Sequence, residues 1–427
     1  MKRILIINTD SVNTGNATGI TLQSIFGALN PENLMELYWG TSRPLTGSVK
    51  LKSRVLRPAP LSFAALFSNS RGRQISRSIK HSTAGTGEGA HGRHKIVSDL
   101  RQFVALQTDL SRICLTKKDM QEIRAFAPEV IYTLGGGVAS LKMAYRLSRK
   151  LRIPIVMHFM DNWRHCIQWE GNPLLKHYKK QLRGYCNRCY QRSNGCIAIS
   201  PKMAEVYTEE TGIPHSTVMN AVNVSDFYTA PRPGDGVFRF VYAGGLHLGR
   251  EKGLYRIAEA IREAAAEKNK AVEFLIYTSP ENIAAYQDAF REFEEVRFLP
   301  AVPHDGIRKV FAGADFLVHT ESNDLMKNEF FRYSISTKIP EYLASGRPVL
   351  FFGPSDIYLY TFLTEAGVAV TAPDADALSR EIALALDGKY AAMPERAYLY
   401  AKEHFDVTVA VNTLCHVFEN AGLEKKQ

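Results

Sequence analysis

The sequence has few of the features that mark secreted, disulfide-bonded or membrane-spanning proteins. Its 427 residues include six cysteines, scattered too widely for a disulfide framework, so we expect a reducing compartment. Its longest apolar runs fall well below the ~18 residues that a transmembrane helix needs. The first ten residues, MKRILIINTD, contain no small-residue cleavage site and predict a β-strand rather than a signal peptide. We therefore expect a cytoplasmic protein.

The sequence also lacks complete metal-binding and dinucleotide-binding motifs. Cys186 and Cys189 form one C-x-x-C without a second pair, and their helical context favours two thiols on one helix face over zinc or redox chemistry. Asp374, in the D-A-D before a predicted helix, is expected to be a helix cap rather than a metal ligand. The loop after the first predicted strand is not G-x-G-x-x-G, which argues against a nicotinamide site. We predict neither a metal nor a cofactor.

Basic charge is concentrated in the first half of the chain. The net charge is +10, yet residues 1–235 carry 32 Lys and Arg against 16 Asp and Glu, while residues 236–427 carry 21 against 27. The basic half contains no recognised nucleic-acid-binding motif, which disfavours a nucleic-acid partner. Its charge suits an acidic acceptor or peripheral contact with the inner face of a membrane, and equally a solvated surface. The basic Gly/Ser-rich segment 68–96 is predicted to be a loop with the same alternatives.

Short β-like runs alternate with longer helical runs along the whole chain. They are RILIIN, VIYTLGG, IPIVMHFM and GCIAIS in the first half, and FRFVYAGG, VEFLIYT, VRFLP, ADFLVHT and RPVLFF in the second. This alternation is typical of α/β domains with parallel sheets. The chain exceeds the usual length of one hydrophobic core, and the Pro and Gly residues around Pro233 predict a division there. We expect two domains, 1–233 and 234–405.

In the first half, two strand ends carry candidate functional residues. Gly19 lies after the first strand, where glycine allows close approach to a ligand and a helix N-terminus favours an anion, although a tight turn explains the same residues. His158 and Asp161 stand at the end of IPIVMHFM, where open α/β sheets bind ligands. His158 has the alternative of a core histidine bonded to backbone. Asp161 is harder to explain as core, because an unpaired buried carboxylate is costly.

In the second half, Arg250 and Lys252 follow the glycine-rich end of FRFVYAGG and precede a helix predicted to begin near Leu254. Cations at a helix N-terminus oppose the helix dipole, so their presence there indicates an anion between them and the helix. A diphosphate fits that description. The alternative for Lys252 is a solvent-exposed lysine.

The segment SISTKIPEYLASGRPVLFF predicts a short helix between a polar loop and a strand. Ser336 or Thr337 can cap this helix, and Gly346 ends it. Lys338 places a cation in the polar loop. Glu341 in the first turn complements the helix dipole, and the same carboxylate can accept both hydroxyls of a ribose.

These motifs resemble the retaining GT-B glycosyltransferases of family 4, also called group 1. The resemblance rests on VMHFMDNW, NGCIAISPKMAEVY, VMNAVNVSDF, YAGGLHLGREKG, STKIPEYLASGRPVLF and GVAVTAPDADAL, and only residues 40–110 have no counterpart. It implies an α/β fold of two facing Rossmann-like domains with parallel sheets. It also implies that a last helix, in residues 406–427, returns to the first domain.

The resemblance further implies transfer of a sugar from a nucleotide diphosphate donor to a glycan, a lipid-linked acceptor or another cell-surface polysaccharide. Glu341 would hold the donor ribose, and Lys252 would hold the phosphates. His158 and Asp161 would orient the acceptor or the reacting sugar. Neither a metal nor a protein nucleophile is required.

Two positions depart from the family pattern. Tyr333 stands where the family has another Glu, eight residues before Glu341, and Leu246 stands where it often has an arginine. The S-T-K loop, Ser336 to Lys338, resembles that of a subgroup in which Ser and Lys serve the phosphates, with Arg250 as the second cation. Two alternatives stay open. One is a nucleotide-sugar epimerase of similar architecture, and the other is a non-catalytic member that binds a nucleotide or glycan.

Overall fold

The structure is a computed structural model that describes residues 1–12, 17–40, 51–58, 106–163, 165, 173–230, 232, 234–246, 249–303, 306–322 and 331–422. The chain forms two compact units, one of Met1–Val218 with Val411–Gln427, and the other of Met219–Ala410. Pro233, where the sequence predicts a division, and the basic segment 68–96 lie outside the described residues.

The first unit is built on a seven-stranded parallel sheet. Its strands are β1 (Ile4–Ile7), β2 (Leu34–Tyr38), β3 (Lys52–Val55), β6 (Val130–Leu134), β7 (Ile155–Phe159), β8 (Cys196–Ala198) and β9 (His215–Thr217). Their order across the sheet is β3-β2-β1-β6-β7-β8-β9. A short antiparallel pair is formed by β4 (Arg57–Pro58) and β5 (Ile113–Cys114). Strand β1 is buried along its whole length, as expected for an apolar run in a parallel sheet.

Helices connect the strands of the first unit. They span Ala17–Phe26, Lys117–Phe126, Val138–Leu151, Pro173–Tyr190 and Pro201–Thr211. Helix Val407–Asn420 begins in the second unit and ends in the first. Near its end, Phe418 packs edge-on against Tyr132 with ring centroids 6.2 Å apart. Lys2 Nζ donates a hydrogen bond to the carbonyl of Ala421 at 2.7 Å.

Strand β2 places a carboxylate inside the core of the first unit. Glu36 is fully buried, and it accepts hydrogen bonds from Ser11 Oγ at 3.0 Å, from Ser53 Oγ at 3.2 Å and from the amide of Val12. Burial raises the pKa of Glu36. The hydrogen bonds offset the cost of burying a polar group. Strand β2 is not among the β-like runs predicted from the sequence.

The second unit is built on a six-stranded parallel sheet. Its strands are β10 (Val237–Ala243), β11 (Ala271–Thr278), β12 (Val296–Pro300), β13 (Phe316–Thr320), β14 (Val349–Phe352) and β15 (Val370–Ala372), in the order β12-β11-β10-β13-β14-β15. Its helices span Val224–Phe227, Arg250–Lys268, Pro280–Tyr286, Ile307–Ala312, Lys338–Ala344, Tyr358–Ala366, Ala375–Leu386 and Met393–His404. No helix of the described ranges is both long and apolar enough to cross a membrane.

The central strand β10 divides the core of the second unit into two clusters. Phe240 and Tyr242 belong to one cluster, and Val241 and Ala243 belong to the other. This alternation arises because successive side chains of a strand point to opposite faces of the sheet. The predicted α/β class with parallel sheets is confirmed, and each predicted β-like run contains a strand.

Gly253 in helix Arg250–Lys268 is packed too tightly to carry a side chain. A Cβ at this position would overlap with the hydroxyl of Thr320 at the end of β13. We expect Gly253→Ala to destabilise the second unit by about 1–3 kcal/mol, although alanine is the better helix former. Urea unfolding followed by circular dichroism measures this.

The matched control is Gly184, which also lies in a helix but has no atom within 4 Å of a Cβ placed on it. Gly184→Ala should leave stability unchanged or raise it by about 0.5–1 kcal/mol. Equal losses for the two variants would contradict the packing explanation.

Candidate functional site

Each sheet reverses its strand order beside its first strand. In the first unit, β2 and β3 lie on one side of β1 and β6 lies on the other; in the second unit, β11 and β12 lie on one side of β10 and β13 lies on the other. Ligands bind beyond the carboxyl ends of strands at such reversals, because the two connections leave in opposite directions and open a crevice. The two reversals are therefore the expected positions of functional side chains.

A buried ion pair lies at the reversal of the second sheet. Helix Arg250–Lys268 begins at Arg250, so the prediction of a start near Leu254 was wrong. The guanidinium of Arg250 donates hydrogen bonds from Nη2 to Glu321 Oε1 at 2.7 Å and from Nε to Glu321 Oε2 at 3.1 Å. His319 Nε2 lies 3.0 Å from Glu321 Oε1. Glu321, which follows β13, thus binds the first residue of the helix. The helix begins one turn earlier than the sequence pattern indicated.

Arg250 and His319 stabilise the charged form of Glu321. Burial alone would raise the pKa of Glu321, but Arg250 and His319 outweigh it and lower that pKa to about 2. Burial lowers the pKa of His319 to about 4, so its imidazole is neutral at neutral pH. The sequence analysis assigned Arg250 to a bound diphosphate, whereas the structure places a protein carboxylate against two of its nitrogens.

Lys338 provides a second cation at the same reversal. Its Nζ lies 5.1 Å from the centroid of the Tyr242 ring and 3.5 Å from the Tyr242 hydroxyl. Gly244 leaves room for it, because a Cβ at that position would overlap with Lys338 Cε and Nζ. Burial, together with the nearby charge of Arg250, lowers the pKa of Lys338 to about 7. An anion bound here would favour the charged ammonium again.

A cavity of about 1260 Å³ lies next to the Arg250–Glu321 pair. Its lining includes Lys252, Glu321 and Ser322. Lys252 is exposed, and within the described part of the chain its ammonium has no hydrogen-bond or ion-pair partner. The first turn of helix Arg250–Lys268 therefore contains two cations. Arg250 is paired with Glu321, and Lys252 is exposed.

The polar loop before helix Lys338–Ala344 is arranged differently from the prediction. Thr337 is the N-cap residue, but its side chain makes no capping hydrogen bond, so the predicted cap by Ser336 or Thr337 does not form as expected. Glu341 lies in the first turn and is half-buried. Gly346 follows the helix with a φ of +67°, as its predicted role as a helix terminator requires. Ser336, Thr337 and Glu341 do not line the cavity that contains Lys252.

The reversal of the first sheet contains a second cavity, of about 430 Å³. Gly19, His158 and Asp161 all line it, although Gly19 is distant in sequence from the other two. Burial raises the pKa of Asp161 to about 7. Among the described residues, no side chain or amide is hydrogen-bonded to this carboxylate or paired with it. The first-unit residues that the sequence analysis selected are therefore neighbours.

His158 is fully buried in β7. Its Nδ1 lies 2.7 Å from the hydroxyl of Tyr132. Burial lowers the pKa of His158 to about 3, and the backbone of Val218 opposes this effect more weakly. The imidazole is neutral at neutral pH, and it is both a core side chain and part of the cavity wall.

The sequence analysis missed Glu321, Tyr242 and Asp109. Glu321 had a signal, because it directly follows the buried run ADFLVHT at a carboxyl strand end. Tyr242 lies inside a strand and has the pattern of any core aromatic. Asp109 lies in the stretch without recognised motifs, and only the fold brings it to the amide of Val138, from which it accepts a hydrogen bond at 2.7 Å.

Residues with metal-binding potential in the sequence have structural roles here. Cys186 and Cys189 are buried and free, and burial raises the pKa of Cys189. Asp374 accepts a hydrogen bond from the amide of Ala377 at 2.8 Å and caps its helix, as predicted. Within the ranges that the structure describes, no group of three or more His, Cys, Asp or Glu could hold a metal ion.

The lowered pKa of Lys338 predicts a pH-dependent cost to stability. In the unfolded chain a lysine keeps its proton up to about pH 10.4, whereas folded Lys338 loses it near pH 7, so unfolding takes up a proton between these values. The cost is fully present below about pH 7 and disappears as the pH rises toward 10.4. Lys338→Met should therefore stabilise the second unit most at about pH 6, and the gain should shrink by about pH 9.5.

Paired urea unfolding curves of wild type and variant across this range measure the effect. Lys252→Met is the control, because Lys252 is exposed, and its effect should not change with pH. A gain from Lys338→Met that is constant with pH would contradict the lowered pKa of Lys338 as the cause of the cost.

Comparisons with known proteins agree with this architecture. Residues 237–387 match the family described as Glycosyl transferases group 1. The structure is similar to sucrose-phosphate synthase from Thermosynechococcus elongatus, with a TM-score of 0.61, 12% identity and 98% of each chain covered. It is also similar to WaaG, a glycosyltransferase involved in lipopolysaccharide biosynthesis, with a TM-score of 0.55, 11% identity, and 98% of this chain and 100% of that chain covered.

A protein assigned to another class of enzyme has a similar architecture. A protein from Listeria monocytogenes assigned as a UDP-N-acetylglucosamine 2-epimerase is similar with a TM-score of 0.54, 12% identity, and 98% of this chain and 96% of that chain covered. A search of curated proteins finds no match in sequence. At these identities the solved structures establish the fold alone. The match of residues 237–387 to the Glycosyl transferases group 1 family and the similarity to these solved structures agree, and the chain has the GT-B fold of such glycosyltransferases.

Proposed function

We propose that this chain is a retaining, metal-independent glycosyltransferase that moves a sugar from a nucleotide diphosphate donor to a glycan, a lipid-linked acceptor or another polysaccharide. The group 1 match of residues 237–387 supports glycosyl transfer. The observation that carries the proposal is the position of Lys338, a half-buried cation at the reversal of the second sheet. Such a cation is destabilised until an anion binds beside it.

The second unit provides the groups that a nucleotide diphosphate requires. Lys338 and Lys252 neutralise the phosphates, with the amides of the helix that begins at Arg250 as further donors. Ser336 and Thr337 donate hydroxyl hydrogen bonds to phosphate oxygens. Glu341 accepts hydrogen bonds from the ribose hydroxyls. Gly19, at the start of helix Ala17–Phe26, binds the donor. His158 and Asp161, in the same cavity of the first unit, bind the acceptor or the reacting sugar.

The chemistry follows from the leaving group. The bond between the anomeric carbon and the diphosphate breaks, and the acceptor hydroxyl forms its new bond on the same face of the sugar, which retains the configuration. The hydroxyl proton passes to the departing phosphate oxygen. The protein's task is to stabilise the growing negative charge and to hold the acceptor, and preorganised cations such as Lys338 do the first of these.

One alternative function is that of a nucleotide-sugar epimerase, because the fold is similar to that of a protein assigned as an epimerase. An epimerase would convert a UDP-sugar to its epimer without any acceptor, whereas the proposed transferase needs an acceptor or hydrolyses the donor slowly. Product analysis by NMR, with each donor alone and with added acceptor, separates the two functions. A protein that binds donors and turns over none of them would be the non-catalytic alternative.

The first prediction for this function concerns metals. Because side chains supply the positive charge, turnover of the donor should be unchanged within about twofold by excess EDTA, a change of less than 0.5 kcal/mol in the barrier. Release of nucleoside diphosphate, followed by a coupled assay, measures turnover. Complete loss that magnesium or manganese restores would overturn the metal-independent mechanism.

The second prediction concerns Glu341. If the carboxylate holds the ribose, Glu341→Gln removes charge-assisted hydrogen bonds worth roughly 1.5–3 kcal/mol, which is on the order of 10- to 100-fold in donor affinity. If it only complements the helix dipole, the variant loses about 0.3–1 kcal/mol of stability and binds donors normally. Glu395→Gln is the matched control, because Glu395 also lies in the first turn of a helix.

A 2′-deoxyribose donor completes the cycle. It should bind wild type more weakly than the normal donor does, yet it should lose little further affinity with Glu341→Gln, because the shared contact is already gone. Calorimetry measures all four affinities. Independent, additive losses would remove Glu341 from the ribose site.

A further inference from the structure

Two neighbouring helices of the first unit carry positive charge without any carboxylate. Helix Val138–Leu151 contains four Lys and Arg residues, and helix Pro173–Tyr190 contains five. Neither helix contains Asp or Glu, and the sequence has none anywhere in residues 130–160 or 171–204. Helix Arg250–Lys268 of the second unit is the contrast, because its five cations are interspersed with four glutamates. Both signs of charge are usual on exposed helices, so the first two helices have an unusual surface.

The cations lie on the outer sides of these two helices. Apolar side chains of both helices, such as Leu147 and Leu182, are buried in the core. Within the part of the chain that the structure describes, no ion pair with a carboxylate compensates any of the exposed cations. Cations four residues apart, such as Arg146 and Lys150, lie on the same side of a helix. The seven exposed cations are Arg146, Arg149, Lys150, Lys176, Lys180, Arg183 and Arg188.

Cation–π contacts join the two helices at this surface. Lys142 Nζ of the first helix lies 5.8 Å from the centroid of the Tyr185 ring of the second. Arg188 of the second helix lies 6.0 Å from the Tyr145 ring of the first and 4.9 Å from the Tyr185 ring. The outer sides of helices Val138–Leu151 and Pro173–Tyr190 therefore form one continuous surface, which we call the basic face. The longer helix gives it a length of about 27 Å.

Nucleic acid fits the basic face less well than its charge alone suggests. Proteins that bind single strands stack the bases on aromatic rings. Here Lys142 and Arg188 already contact the Tyr145 and Tyr185 rings. The basic half of the chain also contains no recognised nucleic-acid-binding motif.

A protein partner also fits this surface less well, because a few buried apolar or aromatic anchors carry most of the binding energy of protein interfaces. The large apolar side chains that are exposed in the described ranges all lie outside the two helices. The basic face thus offers positive charge spread over two helices, without an anchor. Its complement is a spread of negative charge, and clusters of Lys and Arg on a helix bind anionic lipid headgroups in this way.

We propose that the basic face binds peripherally to a membrane surface that contains anionic phospholipids. The apolar sides of both helices stay in the protein core, so the contact is electrostatic and inserts neither helix into the bilayer. The inference goes beyond the proposed glycosyl transfer and does not depend on it, because binding to vesicles requires neither donor nor acceptor. It assigns part of the positive charge of the first half to a defined surface.

Flotation of the full chain with lipid vesicles tests the proposal. One set of vesicles is pure phosphatidylcholine and the other contains about 30 mol% phosphatidylglycerol, each in about 0.1 M and about 0.5 M NaCl. At low salt the protein should bind the anionic vesicles at least about 10-fold more tightly than the neutral ones, and high salt should remove most of this difference. Equal binding to both sets, no binding to either, or a preference that salt does not weaken overturns the proposal.

A variant with three substitutions locates the contact. Arg146→Gln, Lys150→Gln and Lys180→Gln together remove three exposed charges from the basic face. Each cation near an anionic membrane contributes roughly fivefold to binding, so this variant should bind the anionic vesicles at least about 30-fold more weakly. Because the three side chains are exposed, the variant should unfold at the same urea concentration as wild type. Unchanged vesicle binding by the folded variant contradicts the proposal.

The matched control removes the same charge from the second unit. Lys309→Gln, Lys389→Gln and Lys402→Gln together replace three exposed lysines there, and this control should change vesicle binding by less than about threefold. A loss equal to that of the first variant would mean that net charge, and not the basic face, decides binding.

RNA is the competing polyanion in the same experiment. Labelled single-stranded and double-stranded RNA are titrated at the same low salt with wild type and both variants. RNA binding at protein concentrations that leave the vesicles free, lost in the basic-face variant alone, would assign this surface to nucleic acid and overturn the proposal. The expected result is RNA binding that is weaker than vesicle binding.

Discussion

The buried pair of Arg250 and Glu321 is the interaction on which the site of the second unit depends. It joins the first residue of helix Arg250–Lys268 to the segment that follows β13, across 71 residues of sequence. Loss of one partner would leave the other charge buried and uncompensated, which typically costs about 3–5 kcal/mol. The helix begins at Arg250, and this start places Lys252 in its first turn.

Some charged side chains at the two strand reversals are opposite in sign to the net charge of the half of the chain that carries them. The basic half of the chain forms a cavity lined by three carboxylates, whereas the acidic half places Lys252 and Lys338 near its strand reversal. Net charge sums over the whole surface, while a cavity responds to the few groups that share its low-dielectric interior.

Glycines determine how closely the functional elements approach one another. Gly244 leaves the space that Lys338 occupies over Tyr242, and Gly253 lets its helix pack directly on Thr320. Both contacts lie at the carboxyl ends of neighbouring strands, β10 and β13. A side chain at position 244 would displace Lys338, and one at position 253 would displace the helix from Thr320. In this site, the side chains of Lys338 and Thr320 therefore pack directly on the backbone of a glycine.

The sequence by itself determined the α/β class, the β-like runs that became strands, the helix stop at Gly346 and the cap at Asp374, because these depend on local periodicity and local hydrogen bonds. It also selected His158 and Asp161, which follow from the rule that ligands lie at carboxyl strand ends. Only the tertiary structure decided that Glu321 compensates Arg250 and that Asp109 occupies the helix terminus at Val138. Those contacts join segments distant in sequence, and which segments meet depends on strand order, which no local pattern encodes.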